Sequence, residues 1–165
     1  MTAAAVLGKT DQKSVFTRSV MALSADMNLP AGKPGNSRRL IVDKLFADLA
    51  AGRVEDCVAA FTDDLKMEVP FQSPGMTWKC RSKDDVRALF TWVSENFRPF
   101  GIEASQSWEM ESDGLVALYA TDAVRERTGR PYQNDYVGLF FFEGDLVSHW
   151  VEYHNPMVTV VALGR

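Results

Sequence analysis

The chain is poor in the residues that build metal centres and disulfide frameworks: its 165 residues include two cysteines and two histidines. Cys57 and Cys80 stand apart with no metal-ligand spacing around them, so they read as free thiols in a reducing compartment. His149 and His154 lie five apart, which puts them on opposite faces of a regular strand and argues against a shared metal. No apolar run approaches the roughly 18–20 residues that span a bilayer. Residues 1–10 lack the charged, apolar and small sequence of a secretory signal. Basic residues are not in excess: 18 Lys and Arg against 22 Asp and Glu give a net charge of −4. No clustered basic face exists beyond Arg38-Arg39 and the Arg125, Arg127, Arg130 turn. The expectation is a cytoplasmic protein with no membrane or nucleic-acid partner. No internal repeat or low-complexity tract is visible.

What is present is enough apolar material for a core, 46% of residues, in a chain of one-domain length. Residues 1–36 look like an appendage. Phe16, Val20, Leu23 and Met27 form one helical stripe, which Asn28 to Asn36 breaks as a linker. Such an arm covers a pocket mouth, clasps a second subunit, or stays disordered. The compact domain, 37–165, starts with Ser37 as a plausible N-cap. An amphipathic helix carrying Ile41, Leu45 and Leu49 follows and is closed by Gly52. A short helix with Val54, Val58 and Phe61 comes next, and Asp63-Asp64 turns the chain into a strand from Leu65 to Phe71. Pro70 restricts that strand to a sheet edge or a strand end. After a loop at Ser73-Pro74-Gly75, Ser82 and Asp85 form a capping box for a helix with Val86, Phe90, Val93 and Phe97 on one stripe.

Everything downstream reads as strand: Ile102 to Glu109, Leu115 to Arg127, Tyr132 to Phe142, and Leu146 to His154, broken at Asp113-Gly114, Gly129-Arg130-Pro131 and Gly144. About three helices followed by four long antiparallel strands is an α+β pattern. A curved antiparallel sheet wrapped on helices makes a cone, and the cone's interior is the natural pocket. The last strand is the most informative segment. Alternation places Trp150, Glu152 and His154 on one face and His149, Val151 and Tyr153 on the other. An indole, a carboxylate and an imidazole on one face point to a small-molecule pocket that moves protons.

This order of elements resembles the nuclear transport factor two-like superfamily, a cystatin-like cone, and within it the SnoaL-like and ketosteroid-isomerase-like branch. The likeness rests on the early helix ending in Ala51-Gly52-Arg53-Val54-Glu55, the Thr62-to-Pro70 strand, and the aromatic hairpin closing on Glu152-Tyr153-His154-Asn155-Pro156. Residue by residue it departs from several relatives. Where ketosteroid isomerases carry a general-base Asp, this chain has Val69, with Glu68 one place earlier. The Arg-x-Asp of limonene-epoxide-hydrolase-like members reads Asp122-Ala123-Val124, although Glu152 stands where their second Asp would be. The His-Trp-x-x-x-Asp of SnoaL-type cyclases becomes His149-Trp150 followed by His154. The Glu-Phe-x-Asn-Pro of A/B-type phenazine-biosynthesis proteins is the nearest of these matches, and there the Glu has an acid–base role.

Alternation and resemblance together place Asp122 and Val124, Asn134 and Tyr136, and Trp150, Glu152 and His154 on the pocket face, with Glu68 near the rim. A slip of one residue would exchange Asn134 for Asp135. The expected catalytic residues are Glu152, with His154 or Asp122 as partner. Glu68, Phe90, Val124, Asn134, Tyr136 and Trp150 would contact substrate. The expected function is a cofactor-free and metal-free acid–base enzyme of isomerase, cyclase or dehydratase type. Its substrate would be an apolar or aromatic, cyclic metabolite. A non-catalytic binder on the same fold and a purely structural dimerisation module are the alternatives. Phe140, Phe141 and Phe142 cannot all face one way, and the resemblance implies a homodimer formed through the sheet.

Overall fold

The computed structural model describes residues 37–72 and 78–164. The stripe Phe16 to Met27 and the loop Ser73-Pro74-Gly75 lie outside them. The first helix, α1 (Ser37–Ala50), begins at the expected N-cap residue itself and turns Val42, Leu45, Phe46 and Leu49 into the core. Gly52, at φ +70°, ends it. Its N–H bonds Leu49 O at 3.0 Å and the Arg53 N–H bonds Asp48 O at 2.9 Å. This is the Schellman pattern, which satisfies two carbonyls that the helix end would otherwise leave unpaired.

Helix α2 (Val54–Ala59) is short, and Phe61, expected on its stripe, instead opens strand β1 (Phe61–Glu68). Asp63 and Asp64, expected as a turn, lie exposed within that strand. The strand stops two residues before Pro70, as a residue without an amide donor requires. Strand β2 (Lys79–Cys80) pairs with it. Helix α3 (Lys83–Asn96) is capped by Ser82, whose hydroxyl accepts the Asp85 N–H at 3.3 Å, while the Asp85 carboxylate accepts the Arg81 N–H at 2.8 Å. Strands β3 (Phe97–Met110), β4 (Gly114–Arg125), β5 (Arg130–Glu143) and β6 (Leu146–His154) follow, then helix α4 (Pro156–Leu163).

Helix α4 was not expected, although its signals are in the sequence. Asn155 accepts the Met157 N–H at 3.0 Å, Pro156 occupies the first turn, and Gly164, at φ +75°, closes the end. Three cap residues outweigh the β-branched composition of the segment.

Among the described residues six strands form one curved, unclosed sheet in the order β2-β1-β6-β5-β4-β3. The sheet is mixed, because β1 runs parallel to β6 while the other pairs are antiparallel. Alternation along a strand carries no information about which neighbour it will pair with or in which direction, so this pairing was not foreseen. The core lies between the sheet's inner face and helices α1 to α3. Trp150 is at its centre, with its ring against those of Phe140, Phe46, Phe61 and Phe90 at centroid distances of 5.0, 6.2, 6.4 and 6.4 Å. Both cysteines are free and buried, and burial pushes the Cys57 thiol up to about 12 and the Cys80 thiol up to about 11. Among the described residues no helix is long and apolar enough to cross a membrane.

One buried charge pins α1 to the start of α2. Asp48 is 4% exposed and receives Lys44 Nζ at 2.6 Å and Arg53 Nη2 at 2.6 Å. Burial alone would raise its pKa, but the hydrogen bonds from Lys44 and Arg53 outweigh that and hold it below the ordinary 3.8. A carboxyl with a lowered folded-state pKa stabilises the fold fully above the unfolded value and ceases to do so as pH falls through the folded one. Chemical denaturation of the wild type and Asp48→Asn should therefore differ by a constant amount at neutral pH. The gap should narrow below about pH 4. A gap that persists unchanged at low pH would show that the ion pairs contribute nothing.

Candidate active site

Strand β6 is regular from His149 to His154, after a register irregularity that falls between its Val147 and His149 pairings. Trp150, Glu152 and His154 accordingly share the inner face and all three line a cavity of about 120 Å³. That is the order of volume that accepts one aromatic ring. Phe90, Trp92 and Val93 of α3 wall one side, Met67 and Val69 another, and Phe97 and Phe100 of β3 a third. At its edge the Gln72 side chain clasps Trp78 by both backbone groups, with its Nε2 donating to Trp78 O at 2.9 Å and its Oε1 accepting Trp78 N–H at 2.8 Å. The Trp78 ring lies 5.3 Å from that of Trp92.

The polar groups gather where β4, β5 and β6 run side by side. Tyr119, Tyr136 and His154 are direct neighbours across the three strands. The Tyr119 and Tyr136 rings stack at 4.8 Å and 3°, and the Tyr136 ring lies 5.4 Å from the His154 ring. Tyr119 O–H donates to Glu152 Oε2 at 2.5 Å. On the other oxygen, Oε1, His154 Nδ1 stands 3.5 Å away. The Tyr136 hydroxyl is 2.6 Å from that of Tyr132 and 3.3 Å from Thr121 Oγ1.

Burial, and then the neighbouring Glu152 charge, raise the Tyr119 pKa well above 10. Burial and the neighbouring Tyr132 do the same for Tyr136, and burial raises Tyr132. All three hydroxyls therefore stay neutral near pH 7 and serve as hydrogen-bond donors.

Gly138 makes the Tyr119–Glu152 bond possible. Strands β4 and β6 flank β5 and so lie roughly 9–10 Å apart. Tyr119 must reach across β5 to Glu152, whose direct neighbour there is Gly138. A Cβ at Gly138 would stand 2.8 Å from Tyr119 Cε1 and 2.7 Å from Phe140 Cε2. Both rings are fully packed, so neither can yield cheaply. Gly138→Ala is expected to cost about 1–3 kcal/mol in urea denaturation and to shift the Tyr119 ring resonances in NMR spectra. Unchanged resonances would mean that the slot is not needed.

The structure brings together Glu152, His154, Tyr136, Trp150 and Phe90, as the sequence suggests. It separates the others. Asp122 and Val124 lie on the outer face of β4, where Asp122 accepts Gln133 Nε2 at 3.1 Å, so Asp122 does not pair with Glu152. Glu68 also faces outward, bonded by Arg81 Nη2 at 2.8 Å and 3.2 Å from His149 Nε2; the hydrogen bonds from Arg81 and then His149 hold its carboxyl below the usual range.

Asn134 is inward and Asp135 outward, which fixes the open register. Asn134 nonetheless serves the chain itself, bonding both backbone groups of Asn155 at 3.0 and 3.2 Å at the entry to α4. Tyr119, Thr121, Tyr132 and Thr159 were not foreseen as parts of the site. Burial alternates from Leu115 through Ala117 to Tyr119, but Val116 and Leu118 between them are just as apolar, so the sequence of β4 carries no alternation that would show which face turns inward. Phe140 and Phe142 face inward and Phe141 outward, where its ring lies 5.5 Å from His149.

A family model described as SnoaL-like domain matches residues 42–150. Many solved structures share the fold. A candidate isomerase from Bacillus subtilis superposes with a TM-score of 0.73 at 16% identity over 78% of this chain and 93% of its own. A protein with a ketosteroid-isomerase-like fold from Catenulispora acidiphila, solved in complex with trimethylamine, gives 0.65 at 9% identity over 75% and 92%. An epoxide hydrolase of the limonene-epoxide-hydrolase type from M. tuberculosis gives 0.60 at 14% identity over 78% and 90%. At such identities the likeness is one of fold alone. No curated protein matches the chain.

Proposed function

The chain belongs to the SnoaL-like domain family, and from that premise we propose that its cavity performs cofactor-free proton transfer on a small, apolar, cyclic molecule. The reaction would be of isomerase, cyclase or dehydratase type. The observation that carries this is the Glu152–His154 pair, set in an aromatic-lined cavity beside a row of neutral tyrosine hydroxyls. Among the described residues no Lys or Arg lines the cavity, which favours a substrate without phosphate or carboxylate groups.

In such a reaction the pair takes a proton from a carbon next to a carbonyl, and the bonding electrons move onto the carbonyl oxygen. A hydroxyl of the Tyr132–Tyr136 pair stabilises that oxygen by donating to it. The pair then returns the proton to a different carbon, or a leaving group departs. Trp150 and Phe90 supply flat apolar contact for a ring. We propose further that two chains pair through the outer sheet face, where Val137 is 38% exposed and Leu139, Phe141 and Val151 are half-buried.

The experiment is deuterium exchange of α-protons in one- and two-ring ketones, followed by ¹H NMR in D₂O, with saturation-transfer NMR reporting binding in parallel. Exchange above buffer that is lost in Glu152→Gln supports the enzyme. Binding without exchange would instead leave a ligand-binding protein of the same fold, a reading favoured by the engagement of one Glu152 oxygen by Tyr119.

A further inference from the structure

Resting on that reading, we infer that the atom exchanging protons with the substrate is Nε2 of His154, and that Glu152 and Tyr119 stand behind it as positioning residues. Four features of the site lead there. Glu152 Oε2 is held at 2.5 Å by a Tyr119 hydroxyl whose ring is fixed between Phe46 at 4.7 Å and Tyr136 at 4.8 Å. Glu152 Oε1 has His154 Nδ1 at 3.5 Å. That Nδ1 is buried and, among the described residues, has no hydrogen-bond partner. His154 itself lines the cavity.

A buried imidazole nitrogen without a partner is costly, and its cheapest relief is to carry the proton and donate it to the carboxylate beside it. A closure of well under an ångström brings 3.5 Å into bonding range. The neutral ring then bears its hydrogen on Nδ1. Its other nitrogen, Nε2, then carries the lone pair, which the ring geometry turns well away from the carboxylate that holds Nδ1. Both carboxylate oxygens have an owner, so Glu152 orients the ring and offsets the charge that develops on it. A buried acid plays the same part behind a catalytic histidine in hydrolases.

The step balances. Nε2 takes the proton from the substrate carbon, whose C–H electrons pass to the carbonyl oxygen. The imidazolium is stabilised by the Glu152 carboxylate, and the same Nε2–H returns the proton to the product carbon. Tyr119 fixes the far side of the carboxylate and so decides which oxygen faces the ring. Gly138 fits this scheme, since it leaves the gap through which the two meet.

The test uses ¹⁵N-histidine-labelled full-length protein, in which there are two imidazoles to assign. His149→Gln identifies the other. Long-range ¹H–¹⁵N correlation distinguishes the two neutral tautomers directly. The Nδ1–H form is expected for His154 in the wild type. It should give way to the Nε2–H form in Glu152→Gln and lose its dominance in Tyr119→Phe. A wild-type His154 that is mainly Nε2–H, or a tautomer indifferent to Glu152→Gln, would overturn the relay.

Ketone exchange separates this proposal from the reading beneath it. The relay expects His154→Gln to be as slow as Glu152→Gln. Full exchange in His154→Gln with none in Glu152→Gln would sink the relay while leaving acid–base catalysis standing. The Nδ1–H tautomer in a protein that exchanges no ketone would uphold the geometry of the relay and overturn the catalytic reading.

Discussion

Trp150→Ala should lower the unfolding free energy by about 3–5 kcal/mol in urea denaturation, a large part of the roughly 5–15 kcal/mol that holds a domain folded. Trp150 is 2% exposed and touches the rings of five aromatic residues drawn from α1, β1, α3, β4 and β5. Truncation removes the transfer free energy of the indole and leaves a void that these rings cannot all close at once. The void would also join the cavity that Trp150 lines, so bound ketones should lose saturation transfer to the remaining wall. Trp150→Phe keeps a ring in place and is expected to cost less. A loss below about 1 kcal/mol on truncation would show that neighbouring rings refill the space.

Glu152→Gln should reduce ketone exchange by about 10²–10⁴-fold while leaving the melting temperature close to that of the wild type. The amide has the carboxylate's shape and can still accept the Tyr119 hydroxyl through its oxygen, so the stacked rings keep their support. What it loses is the negative charge. Without that charge neither a direct abstraction by the carboxylate nor an imidazolium on His154 is stabilised, so the prediction holds whichever atom takes the proton. An amide behind a histidine also selects the wrong tautomer, a change known elsewhere to cost about 10⁴ in rate. A decrease of less than tenfold, measured on protein shown to be folded by circular dichroism, would remove Glu152 from the chemistry.

The legible part of this protein lies where one strand suffices. Trp150, Glu152 and His154 could be set on one face because β6 is regular through those residues, and a period of two needs no partner. The hairpin of β5 and β6 was readable from Glu143-Gly144-Asp145, whose Gly144 sits at φ +60°. What escaped needs two or more elements at once. Tyr119 belongs to the site through a reach across β5 that depends on Gly138, and no feature of either local segment announces it. Alternation and the family's motif point to Asp122, whereas burial along β4 follows the odd numbers through Tyr119, Thr121 and Ala123. Alternation leaves Asn134 and Asp135 interchangeable, and the partner that decides the role of Asn134, Asn155, lies twenty-one residues away at the start of a helix outside the expected elements.

The parallel seam between β1 and β6 has a consequence for how the molecule is made. Phe61 pairs with Val147 and Met67 with Trp150, so the seam joins segments more than eighty residues apart, in the interior of the sheet. At a synthesis rate of about 5–20 residues per second, β1 waits several seconds for the partner that completes it. Throughout that time the nascent chain presents an open strand edge, and apolar side chains such as Leu65 and Met67 have no strand beside them. Residues Asp63, Asp64 and Lys66 interrupt the same strand with exposed charge. Exposed charge on an open strand edge disfavours pairing with another chain, and these residues supply it on the strand whose partner is made last.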